Sequence, residues 1–142
     1  MKKDWAPELL SVLRIVLAYL LIQASTIKLF GFPVPVPGGG SGTVPVGSLA
    51  WVAGMIEIVG GPLILLGLFT RPVAFILAGE MAVAYFVGHA STGHWLWPMA
   101  NMGHAAVIFC FLFLYISAAG AGPWSLDAFL ARRRTQSAVP VS

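Results

Sequence analysis

The sequence predicts an all-α integral membrane protein: a four-helix bundle with a short interfacial helix near its C-terminus. Three observations carry this. Hydrophobic residues make up 58% of the 142-residue chain and charged residues only 9%, and the mean hydropathy of +0.89 is unusual for a soluble globular domain. Four apolar segments approach the about 20 residues needed to cross a ~30 Å hydrocarbon core. The basic residues gather at the ends of those segments.

The expected spans are 9–30, 46–69, 72–89 and 98–119, in one unit covering residues 1–134, with a flexible tail at 135–142. Lys2 and Lys3 precede the first span, as in a signal peptide. Its apolar stretch exceeds the usual h-region of about 7–15 residues, and no small-x-small cleavage site follows, so it reads as a retained helix. The next connection, from Gly31 to Ser48, holds Pro33, Pro35 and Pro37 and then a glycine run. It reads as a flexible linker or as a cap over the bundle. Gly54, Gly60 and Gly61 give the second span small surfaces for close helix contact.

Gly67 suits a helix end and Pro72 the first turn of the next, so spans two and three form a tight hairpin. The third span is the shortest and is expected to tilt little or thin the bilayer. Trp95 and Trp97 fit the interfacial aromatic belt before span four. Cys110, the lone cysteine, reads as a small buried hydrophobe. Beyond Gly120 to Pro123, Ser125 is a candidate N-cap. Leu126, Phe129 and Leu130 then recur at helical spacing ahead of Arg132–Arg134, the pattern of a helix lying on a leaflet surface.

Charge placement orients the chain. Lys2, Lys3, Arg71 and Arg132–Arg134 fall on one side of a four-span topology, while the stretches 31–45 and 90–97 contain no Lys or Arg. The positive-inside rule then makes both termini cytoplasmic. The net charge of +3 arises from these flanks and is no nucleic-acid signature.

Four charged residues lie inside the apolar segments: Arg14, Lys28, Glu57 and Glu80. Each costs at least ~2.5–3.5 kcal/mol at mid-helix, so such groups face a bundle interior or a wet cavity. Arg14 and Lys28 are about four turns apart and share one face with Ser25. Depth alone suggests pairing Arg14 with Glu80 and Lys28 with Glu57. Two readings stand: structural pairs that lock the bundle, or a polar pocket for a headgroup or for proton movement. His89, Asn101 and His104 gather towards the opposite surface, as hydrogen-bonding or proton-transfer groups or as satisfied interfacial side chains. No His pair at i, i+4 suggests a metal, and no phosphate-binding, dinucleotide-binding or CxxC motif is present.

These pieces, in this order, are familiar. Leu13-Arg14 opens span one and Lys28 to Gly31 closes it. Glu57 to Gly61 leads to Leu66 to Arg71, His89 ends span three, and Gly120 to Asp127 closes the bundle. In this the chain resembles the DoxX family of small four-helix bacterial membrane proteins. Ala24 and Ser25 stand where many members carry a glycine before the lysine, and the Pro/Gly-rich loop is longer than usual. The resemblance implies a bacterial inner-membrane protein with a redox-linked role. Family members are tied to thiosulfate:quinone oxidoreduction, to redox-stress complexes or to quinone resistance. It therefore implies no intrinsic cofactor, a quinone as ligand, and an oxidoreductase partner subunit or a second copy of the chain alongside membrane lipid. A non-catalytic anchor or assembly protein is the other reading.

Overall fold

The computed structural model describes residues 4–36 and 42–137, and every regular element among them is helical. Helix α1 spans Ala6–Phe30, α2 Leu49–Leu66 and α3 Thr70–Val83. A π-helical turn (Ala84–His89) and a 3-10 turn (Ala90–Thr92) continue α3, followed by α4 (His104–Ala119) and α5 (Leu126–Ser137). Helix α1 packs along α2, and α3 along α4. Helices α2 and α3 touch over a shorter stretch, which leaves a groove between them. The core is Leu17, Ala18, Leu21, Ile64, Leu77, Phe113 and Ile116, all nearly inaccessible. The outward faces carry exposed apolar side chains, among them Val16, Leu20, Phe75, Ile76 and Phe111. Such a surface suits contact with lipid.

Three span lengths differ from expectation. The third span is not the short one: Thr70–Thr92 runs 23 residues, because the π and 3-10 turns extend it. The fourth is short, beginning at His104 rather than at 98 and running 16 residues. Three helices are long and apolar enough to cross a membrane, and α4 falls below that length. The reason lies just before it. Asn101 accepts the Gly103 N–H on its side-chain oxygen at 2.9 Å, and Gly103 is wedged against Tyr85 and His89. The chain therefore turns through 93–103 before a helix can start. The second span is also trimmed, from 46–69 to Leu49–Leu66.

The glycines of α2 do what their size permits. A Cβ on Gly61 would meet Ile22 at 2.6 Å, one on Gly54 would meet Leu29 at 2.9 Å, and one on Gly60 would meet Leu77 at 3.0 Å. Where it is described, the loop after α1 folds back on the end of that helix: Val44 N–H returns to the Lys28 carbonyl and Val36 N–H to that of Gly42. The glycine run at 38–40 and Lys2 and Lys3 lie outside the described residues. So does most of the expected tail: α5 continues through Thr135 to Ser137, and 138–142 are not described.

Ser125 caps α5, accepting the Ala128 N–H at 3.2 Å. The α5 helix is pinned to the hairpin between α2 and α3. Asp127 accepts the N–H groups of Phe69 and Thr70, each at 2.9 Å, and its own N–H binds the Gly67 carbonyl at 2.9 Å. The exposed start of α3, with Phe69 in the left-handed region at φ 49°, is thus capped from another helix. Gly67, at φ 67°, closes α2: its N–H binds the Ile64 carbonyl, and the Leu68 N–H binds that of Leu63. A side chain there would also strike Ser125 and the Arg14 guanidinium.

Candidate functional site

The four intramembrane charges separate into two centres about 21 Å apart along α1. Arg14 occupies the end nearest α5 and is fully buried. Its guanidinium donates from Nε to the Ala121 carbonyl at 2.9 Å, from Nη2 to Trp124 at 2.6 Å, and from Nη1 to Leu65 at 2.6 Å and also to Ile64. Two of these carbonyls lie at the end of α2, where Ile64 also accepts the Gly67 N–H, and two belong to the segment leading into α5. The fork geometry of arginine suits this, since five donors in one plane can serve several acceptors at once. The expected Arg14–Glu80 pairing is therefore wrong. Arg14 serves backbone carbonyls at a helix end and in a connection, groups that lipid cannot satisfy.

The other centre lies in the half away from α5. Lys28 donates from Nζ to Glu57 Oε1 at 2.6 Å, the pairing expected from depth, with the Lys28 side chain 32% exposed and Glu57 inaccessible. Glu57 Oε2 and both oxygens of Glu80 are buried with no hydrogen-bond partner among the described residues. Glu80 lies within electrostatic reach of both Glu57 and Lys28. Two carboxyl groups thus share one ammonium. A carboxyl without a partner in low dielectric is costly to keep as a strut and suited to accepting a proton or a ligand's donor.

Lys28, Glu80 and His89 are the ionisable side chains lining a cavity of about 660 Å³ between α2 and α3. Val52, Ile56 and Ile76 form its wall and continue into a second, almost wholly apolar hollow of about 400 Å³ towards Leu63 and Val73. Val52, Ile76, Val83 and Val87 are about half exposed, so the groove opens sideways into lipid.

The π-turn decides that His89 belongs here. Nine residues of uninterrupted α-helix rotate about 900°, which would put Glu80 and His89 on opposite faces. The wider turn at Ala84–His89 takes back roughly one residue's rotation, about 100°. Both side chains then line the same cavity. His89 Nδ1 lies 3.1 Å from the Asn101 carbonyl oxygen. A carbonyl only accepts, so Nδ1 carries the hydrogen and Nε2 is left as an acceptor.

The remaining expected residues divide. Asn101 is a support: besides holding His89 through its carbonyl, its amide reaches the Tyr85 hydroxyl at 3.4 Å. His104, first residue of α4, is not part of the cavity wall, and its Nδ1 is buried without a partner among the described residues. Sequence reasoning missed Tyr85, which donates to the Trp95 carbonyl and anchors the turns beyond α3, and Ser48, at the cavity edge. Ser48 also caps α2, accepting the Trp51 N–H at 3.2 Å, and its place before an apolar run could have given that role. Nothing local marks Tyr85, because it depends on the π-turn. No group of three or more His, Cys, Asp or Glu among the described residues is placed to hold a metal ion.

The DoxX family model matches residues 9–90, which hold Arg14, Lys28, Glu57, Glu80 and His89. The chain belongs to the DoxX family. An uncharacterized protein of Haemophilus influenzae is 48% identical over 126 residues, 88% of this chain and 92% of that relative. No solved structure matches. Family membership makes this a membrane protein in contact with lipid and leaves its ligand to the chemistry of the groove.

Proposed function

We propose that this protein serves a quinone-linked oxidoreductase system of the bacterial inner membrane, holding a quinone in the groove between α2 and α3. The carrying observation is that groove: laterally open, mostly apolar along its walls, and lined by the ionisable side chains of Lys28, Glu80 and His89. A quinone supplies two-electron, two-proton redox chemistry when bound. Lys28 has ammonium hydrogens to spare beyond the one on Glu57 and is the donor for a ring oxygen. Glu80, and Nε2 of His89, are the acceptors for ring hydroxyl protons. The apolar walls at Val52, Ile56 and Ile76 exclude water and accommodate a hydrocarbon tail. No side chain here carries electrons, so these come from a partner subunit.

Both termini are assigned to the cytoplasm by the positive-inside rule, which also puts the Lys28 centre in the outer half of the bilayer. Alkaline phosphatase fused after Ser142 should be inactive, and fused within 38–42 active; the reverse would reject this orientation. The quinone reading is tested by titrating a short-chain quinone into the detergent-purified protein. Binding should stabilise the fold by about 2.7 kcal/mol at one hundred times the dissociation constant. Glu80→Gln should abolish that increment. A melting temperature that never moves, with no quinone co-purifying, rejects the reading.

A second reading has its own observation. Arg14 spends its donors on backbone carbonyls, and half of the Lys28 centre is an ion pair. A non-catalytic anchor or assembly protein would need no more. A partner subunit that co-purifies equally with wild type and Glu80→Gln, without quinone, is its signature.

A further inference from the structure

A third hollow, about 530 Å³, lies at the other end of the bundle, between the start of α3, the end of α4 and α5. It shares no lining residue with the groove between α2 and α3. Arg71 lines it. Its Nη1 donates to the carbonyls of Ala118 at 2.6 Å and Ser117 at 3.3 Å, so the α4 end fixes the guanidinium in place. Nε and Nη2 have no partner among the described residues and lie over Gly120, where a Cβ would come within 3.3 Å of Nη2. Thr70 lines the same hollow; it is 1% exposed, and its hydroxyl has no hydrogen-bond partner among the described residues. Ala128 also lines it, and Arg132 is one turn further along that face of α5.

We propose that this hollow binds the headgroup phosphate of an anionic phospholipid, with Arg71 and Arg132 as its cations and the Thr70 hydroxyl as a donor. A guanidinium with a free edge is suited to a phosphate. Its position, where three helices end, is the depth at which lipid headgroups lie. Asp127 also lines the hollow, but its two oxygens already accept the N–H groups of Phe69 and Thr70. Its charge disfavours a dianion, so the site suits a monoanionic phosphodiester such as that of phosphatidylglycerol over free phosphate. One lipid then clamps α3, α4 and α5 together.

The test uses the full chain in mild detergent with three probes: phosphatidylglycerol, phosphatidylcholine and inorganic phosphate. Phosphatidylglycerol should raise the melting temperature and remain bound in native mass spectrometry, while the other two should do neither. Arg71→Gln with Arg132→Gln should weaken apparent affinity about tenfold or more, the effect of losing a charge-assisted hydrogen bond. If loss of the Arg71 bonds to α4 prevents folding, Arg132→Gln and Thr70→Val carry the test, since both leave those bonds intact. Each should weaken phosphatidylglycerol binding several-fold. Equal binding by wild type and these variants, equal retention of phosphatidylcholine, or the same stabilisation from inorganic phosphate overturns the proposal.

Discussion

The two ends of α1 each turn a cation toward the bundle, Arg14 fully buried and Lys28 partly so, and they use it in opposite ways. Around Arg14 the polar account closes: all three guanidinium nitrogens meet backbone carbonyls, and these lie at a helix end and in a connection, where helical partners run out. Around Lys28 it does not close. One ammonium faces two carboxyl groups, three carboxyl oxygens lack partners among the described residues, and a cavity adjoins them. A closed centre is what a strut needs, and an open one is what proton or ligand traffic needs. The difference teaches that buried charge alone does not mark function in a small membrane bundle. What marks it is charge left incompletely paired beside a space.

The comparison breaks most decisively at Arg14. Arg14→Met takes the guanidinium away from four carbonyls, of which that of Ile64 keeps a partner in the Gly67 N–H, and should cost ~3–5 kcal/mol or prevent folding, read as loss of the monodisperse peak in gel filtration. Arg14→Lys should rescue little, because a single ammonium cannot span the same acceptors. If Arg14→Met folded normally and lost only ligand binding, the division between strut and site would be wrong. Next is the pair at the other end. Glu57→Gln and Lys28→Met should each lower stability by a few kcal/mol, and the double variant by clearly less than their sum, in a double-mutant cycle of melting temperatures. Additive losses would mean that the pair is not energetically coupled.

Asp127→Ala removes the caps on Phe69 and Thr70 and should cost ~1–2 kcal/mol, lowering the melting temperature and loosening α5 to proteolysis. The smallest expected change in stability is at Glu80. Glu80→Gln breaks no hydrogen bond found among the described residues, so the melting temperature should move little or rise. The same variant should nevertheless abolish stabilisation by quinone. A large fall in stability from Glu80→Gln would show that its carboxyl is a structural partner after all and would move this centre into the class of Arg14.

Much of this was legible in residue order. Helix termini such as Gly67 and Ser125 announced themselves by their backbone and capping chemistry, which depends on near neighbours in the chain. The Lys28–Glu57 pair followed from depth, since two spans of known direction bring residues at matching heights together. Arg14 defeated the same reasoning. Depth matches charges only with charges, whereas its actual partners are carbonyls, which every residue carries and no sequence pattern displays.

By itself, then, the sequence determined the solvent, the helical class, the number of apolar segments and which few side chains had to be buried. Those follow from composition, from hydropathy over about 20 residues and from the cost of charge in lipid. Tertiary structure alone decided the rest. It spent Arg14 on backbone, shortened α4 behind the turns at Gly103, and used a π-turn to swing His89 onto the face of Glu80. Each outcome is a competition between packing and local hydrogen bonding over distances that sequence spacing does not encode. One residue's rotation in a helix is enough to move a functional group into or out of a cavity.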